Sequence, residues 1–408
     1  MTAKNNIPAG YKDSAVGIIP QEWEVKRLGL VCNFLDNQRV PIKDVDRLGM
    51  HGPYPYYGAS GIIDYVNDYI FDDELILLGE DGANIINRST PLAFMVEGKI
   101  WVNNHAHVLR PIEPNNRFYI CSYLESISYD KYNTGTAQPK LNREVCEKIL
   151  IPVPPMEEQR KIAEILGVWD KAIEKQSRLI EKLELRKRAL MQRLLTGRTR
   201  LPNFTTPWQK IKLGEIGKTY NGLTGKSKED FEDGNAKFIP YINVFLNEKV
   251  NIDKLGVVSV DESEKQNKVQ YGDIFFTVSS ETPDEVGMAS VLLEYIDDTY
   301  LNSFCFGYRL NDFETLNPIF ASYILRGDRF RNFMMVLAQG STRFNISKNE
   351  VMKLRIELPS LPEQKAIAEV LTTADDEIAI HRKKLDALRL QKRGLMQQLL
   401  TGKTRVKI

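Results

Sequence analysis

The chain contains few of the residues from which metal centres and disulfide frameworks are built. Its 408 residues include four cysteines and four histidines, and no two cysteines form a Cys-x-x-Cys pair. The wide cysteine spacing excludes a zinc cluster and a disulfide framework, and it predicts buried free thiols. His105 and His107 have a metal-like spacing, but no cysteine or acidic pair completes a site. Hydrogen-bonded structural histidines are therefore expected.

Long apolar runs and nucleotide-binding loops are also missing. No apolar run approaches the roughly 20 residues of a membrane span, and the first six residues lack the apolar core of a signal peptide, so a cytoplasmic protein is expected. The Gly-x-x-x-x-Gly-Lys-Ser/Thr loop that holds phosphates does not occur. Residues 317–320, Asn-Pro-Ile-Phe, lack the second proline of the adenine methyltransferase motif and are predicted to begin a helix. By itself the chain is expected to bind neither ATP nor a methyl donor.

The most prominent feature of the sequence is a stretch that occurs twice. Residues 157–200 and 362–405 align without a gap at an offset of 205, with 21 of 44 positions identical. Neither copy has an internal proline, and turn residues flank each, with Gly197 and Gly402 at the expected C-terminal caps. The copies are therefore predicted to be two long helices. At 1.5 Å per residue, a helix of roughly 35 residues spans about 50 Å, which we interpret as a spacer rather than a core helix.

Both copies carry an apolar seven-residue pattern, which predicts a seam between two paired antiparallel helices. The predicted seam residues are Leu166, Trp169, Ile173, Gln176, Ile180, Leu183 and Leu190 in the first copy, and Leu371, Ile378, His381, Leu385, Leu388 and Leu395 in the second. Polar residues interrupt it at equivalent positions, Gln176 with His381 and Lys187 with Lys392. Such residues fix the register of a seam, although exposed sequence drift is the alternative.

Two variable segments flank the repeats, at residues 1–156 and 201–361. The first is predicted to be a compact, mostly β domain with a strand at 75–78 and a helix near 118–126. The second is predicted to hold a strand at 273–278 and a helix at 318–333. The two segments share their ends, 23–29 with 208–214 and 135–143 with 340–348, and almost nothing between them. The predicted boundaries are 1–156, 157–200, 201–361 and 362–408.

The formal net charge of +1 hides an asymmetry. Residues 157–200 hold 12 basic and 7 acidic residues and residues 362–405 hold 9 and 6, so the repeats carry +5 and +3 and the remainder carries −7. If the variable segments bind nucleic acid, they do so through local patches or with a partner that supplies phosphate contacts.

Over its whole length the chain resembles the specificity subunits of type I restriction–modification enzymes. The resemblance is carried by the duplicated 154–163 and 358–368 stretches, by the Leu-Leu-Thr-Gly endings, and by the motifs at 56–61, 79–82, 101–108 and 279–282. It implies an α+β fold of two mixed, β-rich target-recognition domains, separated by two long antiparallel coiled-coil helices with an internal pseudo-two-fold repeat.

The resemblance also implies a function and partners. Each domain would bind one half of a split, asymmetric double-stranded DNA target, and the helices would set the gap between the halves. The helices would also dock two methyltransferase subunits, with or without nuclease–translocase subunits. The chain would be a non-catalytic subunit without a cofactor, because S-adenosylmethionine and ATP would bind its partners. The assembly would be a DNA adenine methyltransferase and, with a nuclease, an ATP-dependent endonuclease.

Base recognition needs polar and basic side chains on loops. The candidates are Tyr57, Ser60, Asn84, Arg88, Gln138 and Lys140 in the first domain, and Lys226, Thr277, Ser279, Ser280, Arg343 and Lys348 in the second. For each, a solvated loop residue is the alternative. The loops at 135–140 and 340–348 are favoured because they precede the two repeats at equivalent places. Basic residues near 186–188 and 392–393 face either a phosphate, an acidic partner or solvent.

A second function is compatible with the same pattern. The mild acidity of the variable segments also fits a protein-interaction adaptor, with two binding domains on a helical rod and no DNA ligand. A self-contained methyltransferase or nuclease is disfavoured because the cofactor motifs are missing.

Overall fold

The computed structural model describes residues 7–135 and 138–408. These residues form two compact units. Unit 1 comprises the described residues up to Ser177 together with Lys383–Ile408, and unit 2 comprises Arg178–Arg382. The chain passes from one unit to the other twice, each time inside a long helix. The predicted boundaries at 156 and 361 therefore mark the starts of the helices and not the limits of the compact units.

The variable segment of unit 1 is built from short strands and short helices. Its strands are β1 (Tyr11–Lys12), β2 (Ile19–Pro20), β3 (Glu24–Arg27), β4 (Cys32–Phe34), β5 (His51–Gly58), β6 (Gly61–Val66), β7 (Phe71–Asp72), β8 (Leu75–Gly79), β9 (Ala93–Val96), β10 (Lys99–Val102), β11 (Ala106–Pro111) and β12 (Leu150–Val153). Its helices are α1 (Leu28–Val31), α2 (Asp44–Arg47), α3 (Asn84–Asn87), α4 (Arg117–Ser126) and α5 (Arg143–Glu147), with 3-10 turns at Asp36–Gln38 and Asp130–Tyr132. The predicted strand at 75–78 and helix near 118–126 are confirmed.

The first long helix, α6, runs Met156–Leu194 and leads into the variable segment of unit 2. The strands of this segment are β13 (Gln209–Lys212), β14 (Gly217–Asn221), β15 (Ala236–Ile239), β16 (Gly256–Val258), β17 (Ile274–Thr277), β18 (Ser279–Ser280), β19 (Ala289–Val291), β20 (Thr299–Leu301), β21 (Cys305–Leu310), β22 (Phe344–Asn345) and β23 (Arg355–Leu358). The helices are α7 (Leu213–Ile216), α8 (Tyr241–Leu246), α9 (Pro318–Ile324), α10 (Asp328–Leu337) and α11 (Lys348–Lys353), with 3-10 turns at Glu229–Phe231 and Ile252–Lys254. The second long helix, α12, runs Leu361–Leu399.

The two units have matching sheets although their sequences differ between the shared ends. The four-stranded sheet β4-β11-β8-β9 of unit 1 corresponds to β14-β21-β17-β19 of unit 2, and the pair β3-β12 corresponds to β13-β23. In both units a parallel pair, β5-β10 or β15-β20, lies beside this frame. The two units therefore share their strand order although their amino-acid sequences differ between the shared ends.

One predicted helix, at 318–333, is two helices in the structure. It breaks between α9 and α10, where the guanidinium of Arg326 donates to the carbonyl oxygens of Ala289, Val244, Phe245 and Asn247. Gly327 then forms the N-cap of α10 with extended backbone. Periodicity alone did not reveal the break, because it is stabilised by carbonyls distant in sequence.

The long helices belong to the cores of both units. Ile162 and Leu166 pack in the core of unit 1 with Met396, Leu399 and Leu400 of the α12 end. In unit 2 the equivalent set is Ile367, Ala368 and Leu371 with Leu194 and Leu195. The interpretation of the helices as spacers and not core helices was therefore wrong for their ends, because the apolar residues there are shared with the β-rich segments.

The helix ends and cysteines agree with expectation. Gly197 and Gly402 both have φ +70°, the left-handed conformation of a glycine C-cap. All four cysteines are free and buried. In the described part of the chain, no helix is long and apolar enough to cross a membrane.

Candidate nucleic-acid interface

One end of each unit is formed by loops that are joined by an equivalent set of backbone hydrogen bonds, which we call the frame. We call this end of each unit the loop end. In unit 1 it consists of residues 57–61, 79–84, 103–105 and the described part of 133–140; in unit 2 it consists of 239–243, 277–282, 302–304 and 338–345. The hydrogen bonds in unit 1 run from Asn103 N to Tyr57 O (3.0 Å), Glu80 N to His105 O (2.8 Å), Leu141 N to Glu80 O (2.7 Å) and Thr134 N to Lys140 O (2.8 Å). Those in unit 2 run from Asn302 N to Ile239 O (3.1 Å), Val278 N to Phe304 O (3.0 Å), Ile346 N to Val278 O (2.9 Å) and Gln339 N to Asn345 O (3.0 Å).

The last loop of each frame has the same tight bend. A Cβ added to Gly135 would lie 1.7 Å from the carbonyl oxygen of Gln138, and one added to Gly340 would lie 2.1 Å from that of Arg343. Only glycine allows this approach. Gln138 and Arg343, which are 205 residues apart in sequence, therefore occupy equivalent exposed positions. Residues 136 and 137 of the first loop lie outside the described residues.

Four of the twelve predicted base-contacting residues lie exposed at a loop end: Ser60, Gln138, Lys140 and Arg343. Ser60 lies in the turn between β5 and β6, where Gly58 pairs with Gly61. Tyr57 is half-buried, with its ring 6.1 Å from that of Phe94, and burial raises the pKa of its hydroxyl.

Arg88, Asn84 and Lys140 also make contacts within unit 1. The Arg88 guanidinium donates to the carbonyl oxygen of Glu125 at 2.6 Å and pairs with its carboxylate at 2.9 Å. The Asn84 side chain bonds to the backbone of Thr90, so it shapes the loop after α3. Lys140 lies 3.3 Å from the Glu80 carboxylate but remains about half exposed. Of these three, only Lys140 retains access to a ligand.

In unit 2 five predicted residues are also held by internal contacts. Lys226 is only 6% exposed and pairs with Glu264, while the buried hydroxyl of Thr277 accepts from the N–H of Met288 at 2.9 Å. The other three are held by sheet pairing and side-chain hydrogen bonds: Ser279 pairs with Asn345, Ser280 donates to Glu285, and Lys348 donates to Asn221. Burial lowers the pKa of Lys348. The sequence analysis selected these residues by polarity, and polarity does not reveal internal partners such as Glu264 and Asn221.

A buried charge cluster that the sequence analysis missed lies directly beneath the loop end of unit 1. His107 Nδ1 bonds to the Asp36 carboxylate at 2.7 Å and its Nε2 bonds to the Leu141 carbonyl oxygen at 2.7 Å. Arg39 donates to Glu80 at 2.7 Å, whose backbone belongs to the frame. Because both ring nitrogens of His107 face acceptors, the imidazole is held in its doubly protonated form.

The electrostatics of His107 agree with this geometry. Burial alone would lower its pKa, but the hydrogen bond to Asp36, with further contributions from Cys146 and the Asp36 charge, outweighs burial and raises the pKa to about 10. The same pairing lowers the pKa of Asp36 despite its burial. As expected, both histidines of the His-x-His motif are hydrogen-bonded within the unit, His105 to Asp81.

The start of each long helix carries a buried carboxylate that binds the end of the other repeat. Glu158 forms a two-pronged pair with Arg405, at 2.7 and 3.0 Å, and accepts from Trp23 Nε1 at 2.9 Å. In unit 2 the equivalent Glu363 pairs with Arg200, with both distances 2.6 Å. These pairs explain why the sequence repeats the Glu and the final Arg together.

The glutamine that follows each carboxylate forms a second set of hydrogen bonds between the long helix and its β-rich segment. Gln159 accepts from the N–H of Asn116 at 2.8 Å, at the start of α4, and donates to the Pro154 carbonyl at 2.9 Å. Gln364 does the same with Asn317 and Pro359 in unit 2. The repeated Glu-Gln dipeptide is thus a structural clamp between each helix and its β-rich segment.

Within each unit the two helix segments run antiparallel and are joined by a lysine–aspartate pair. In unit 1 Lys392 pairs with Asp170, and in unit 2 Lys187 lies 2.7 Å from Asp375. These four residues are related by the 205-residue offset.

All thirteen predicted seam residues are buried or half-buried. In unit 2 Arg186 also pairs with Glu377, so part of the basic run at 186–188 neutralises the neighbouring helix.

The comparisons with known proteins agree on one family. The model of the type I restriction modification DNA specificity domain matches residues 20–185 and 205–390. The type I restriction enzyme MjaVIII specificity subunit of Methanocaldococcus jannaschii is 27% identical over 420 residues, covering 95% of this chain and 94% of that protein.

Two solved structures are similar in fold along almost the whole chain. The crystal structure of the type I restriction–modification S subunit from M. genitalium has a TM-score of 0.56 at 15% identity, covering 100% of this chain and 99% of that one. A structure from a study of complex assembly and conformational transition of the type I system has a TM-score of 0.57 at 17% identity, covering 95% and 99%.

Proposed function

Because the chain belongs to the type I restriction–modification DNA specificity family, matched by both halves of its sequence, we propose that it selects a split double-stranded DNA target. Each unit contacts one half of the target through its loop end. The observation that carries this proposal is the repeated backbone frame, which presents different side chains at equivalent exposed positions. A shared backbone frame that carries different side chains in the two units is what we expect of two binding sites with the same geometry and different base preferences.

Gln138 and Arg343 are the leading base-contacting residues in this proposal. The amide of glutamine matches the N6 and N7 atoms of adenine, and the guanidinium of arginine matches the O6 and N7 atoms of guanine. Their equivalent positions lead us to propose an adenine contact in one half-site and a guanine contact in the other. Ser60, Lys140 and the half-buried Tyr57 complete the candidate surface of unit 1.

The proposed partners are two methyltransferase subunits docked on the helices, to which nuclease–translocase subunits add in a complete restriction enzyme. In this assembly S-adenosylmethionine binds the methyltransferases and ATP binds the translocases, and this chain supplies recognition and no catalytic group. Calorimetric titration of the isolated chain with S-adenosylmethionine tests the point: measurable binding would contradict it.

DNA retention separates this proposal from the protein-interaction adaptor. The chain is assembled with its methyltransferase, and retention on double-stranded DNA is measured at increasing salt. DNA recognition through phosphate contacts predicts a steep loss of affinity, because each neutralised phosphate releases counterions. Equal retention with and without this chain would support the adaptor instead.

A further inference from the structure

One exposed position of the loop end differs in chemical type between the units. His105 in unit 1 and Phe304 in unit 2 occupy the same place in the frame, since the carbonyl oxygen of each accepts from Glu80 N or Val278 N. The N–H of each is also capped by an asparagine two residues earlier, Asn103 at 2.8 Å and the equivalent asparagine of unit 2 at 2.9 Å. The backbone at this position is therefore fixed in the same way in both units.

Both side chains reach solvent from this fixed backbone. The His105 side chain is 50% exposed, and Phe304 is 58% exposed. A phenylalanine with this exposure next to a tightly bonded turn is not part of either core. Single exposed apolar side chains are common on protein surfaces, so it is the place of Phe304 on the candidate binding surface that makes it a candidate ligand contact.

The hydrogen bond between His105 Nδ1 and Asp81 determines whether the other ring nitrogen, Nε2, can accept a hydrogen bond. Nδ1 lies 3.0 and 2.9 Å from the two carboxylate oxygens of Asp81, which accept only, so Nδ1 carries a proton. In the neutral imidazole Nε2 then has a free lone pair, and in the described part of the chain this nitrogen has no hydrogen-bond partner. In that neutral form the ring presents an acceptor at the position where unit 2 presents an apolar ring.

We infer that this position determines base preference in each half-site: His105 Nε2 accepts from the exocyclic amino group of adenine or cytosine, and Phe304 packs against the methyl group of thymine. Both groups are displayed in the major groove, where apolar side chains contact the thymine methyl. The inference rests on the proposed function and deepens it, because it assigns contacts to residues outside the twelve selected by polarity.

The test uses the full chain assembled with its methyltransferase and a library of DNA duplexes randomised across both half-sites. The variants are His105→Phe and Phe304→His, and methylated duplexes are sequenced. His105→Phe is expected to reduce preference at one base pair of one half-site by about tenfold, since a direct base contact contributes on the order of that factor. Phe304→His is expected to do the same in the other half-site only.

Matched controls make a His→Phe and a ring-to-His substitution away from the loop ends. The first control is His51→Phe, because His51 lies at the end of β5 that is far from Tyr57. The second is Tyr295→His, because the exposed ring of Tyr295 stacks on Tyr271, which lies before β17 at the end away from the loop end. Both should leave the target unchanged. His105→Gln, which keeps an acceptor and can donate to Asp81, should retain more of the original preference than His105→Phe.

The outcomes separate the inference from the proposed function. If the unaltered complex selects one split motif and both exchanges leave it unchanged, the inference is wrong and the function stands. If the unaltered complex selects no motif, the proposed function itself fails. A loss of both half-sites in one variant, with a lowered thermal midpoint, would indicate a structural role and overturn the inference.

Discussion

At the scale of single residues, the charges inside the protein are paired for structure. The buried carboxylates Glu158 and Glu363 each hold an arginine from the end of the other repeat. The two sites differ in one respect, because Trp23 donates to Glu158 while the Nε1 of Trp208 has no partner among the described residues. Glu158 therefore satisfies more groups than its counterpart.

Glu158→Gln should destabilise unit 1 strongly. The substitution removes the buried charge that accepts from both Trp23 and Arg405, while Arg405 keeps its contact with Glu22 and with solvent, so the expected cost is about 2 kcal/mol. The matched control is Glu164→Gln, which removes a surface pair with Lys161 and should cost less than about 1 kcal/mol. Urea unfolding of the full chain measures both, and equal effects of the two substitutions would refute the clamp.

His107 should make the stability of unit 1 depend on pH. Its folded pKa, about 10, lies above the unfolded value of about 6.5. Its contribution is therefore complete below about pH 6.5 and is lost as the pH rises toward 10. Between these pH values the unaltered chain should lose more stability than His107→Gln. Nitrogen NMR at about pH 8 should also show protons on both ring nitrogens, and a neutral ring there would contradict the assignment.

At the scale of elements, the sequence repeat predicted the long helices because a gapless 44-residue duplication without internal proline leaves few alternatives. The strands of the sheet core were predictable where apolar runs such as Leu75–Gly79 are continuous. The break between α9 and α10 was not, because four distant carbonyls stabilise it through Arg326. Local pattern carries no signal for such a contact.

In the candidate site, too, features that adjoin the repeats could be predicted and features that depend on internal partners could not. The 205-residue offset was enough to predict that Gln138 and Arg343 are equivalent, since their loops adjoin the repeats. Lys226 and Thr277 were selected by residue type, yet Lys226 is held by Glu264, 38 residues away, and Thr277 by Met288, 11 residues away. His105 was considered only as a metal ligand and Phe304 was not considered, because the only sequence signal that the two positions share is an asparagine two residues earlier.

The helix register yields a prediction at the same scale. The pairs Lys392–Asp170 and Lys187–Asp375 lie on opposite sides of the points where α6 and α12 pass between the units. Inserting one heptad into both helices at these points preserves each pair and the seven-residue pattern. The half-site bases should remain while the gap between them changes, as measured by sequencing methylated DNA.

Insertion into α6 alone is the control for the helix prediction. It leaves the two helices unequal in length, so binding should be lost or the thermal midpoint should fall. An unchanged gap after the double insertion would mean that the helices do not set the distance between half-sites.

At the scale of the whole molecule, we expect the two loop ends to select their half-sites independently. Replacing residues 1–156 by the corresponding segment of a relative should change one half of the target and leave the other. The replacement must keep contacts to Glu158, Gln159 and Leu166, because these helix residues belong to unit 1. A change in both halves would show that the units are not independent.

The central claim is that this chain chooses the DNA sites that its partner methylates. The most direct measurement is a genome-wide map of methylated adenines in the host, with and without this gene and with the methyltransferase shown to be present. Loss of methylation at one split, asymmetric motif is the predicted result, and the map would give both half-sites and their spacing. An unchanged methylation pattern would contradict the claim and favour the protein-interaction adaptor.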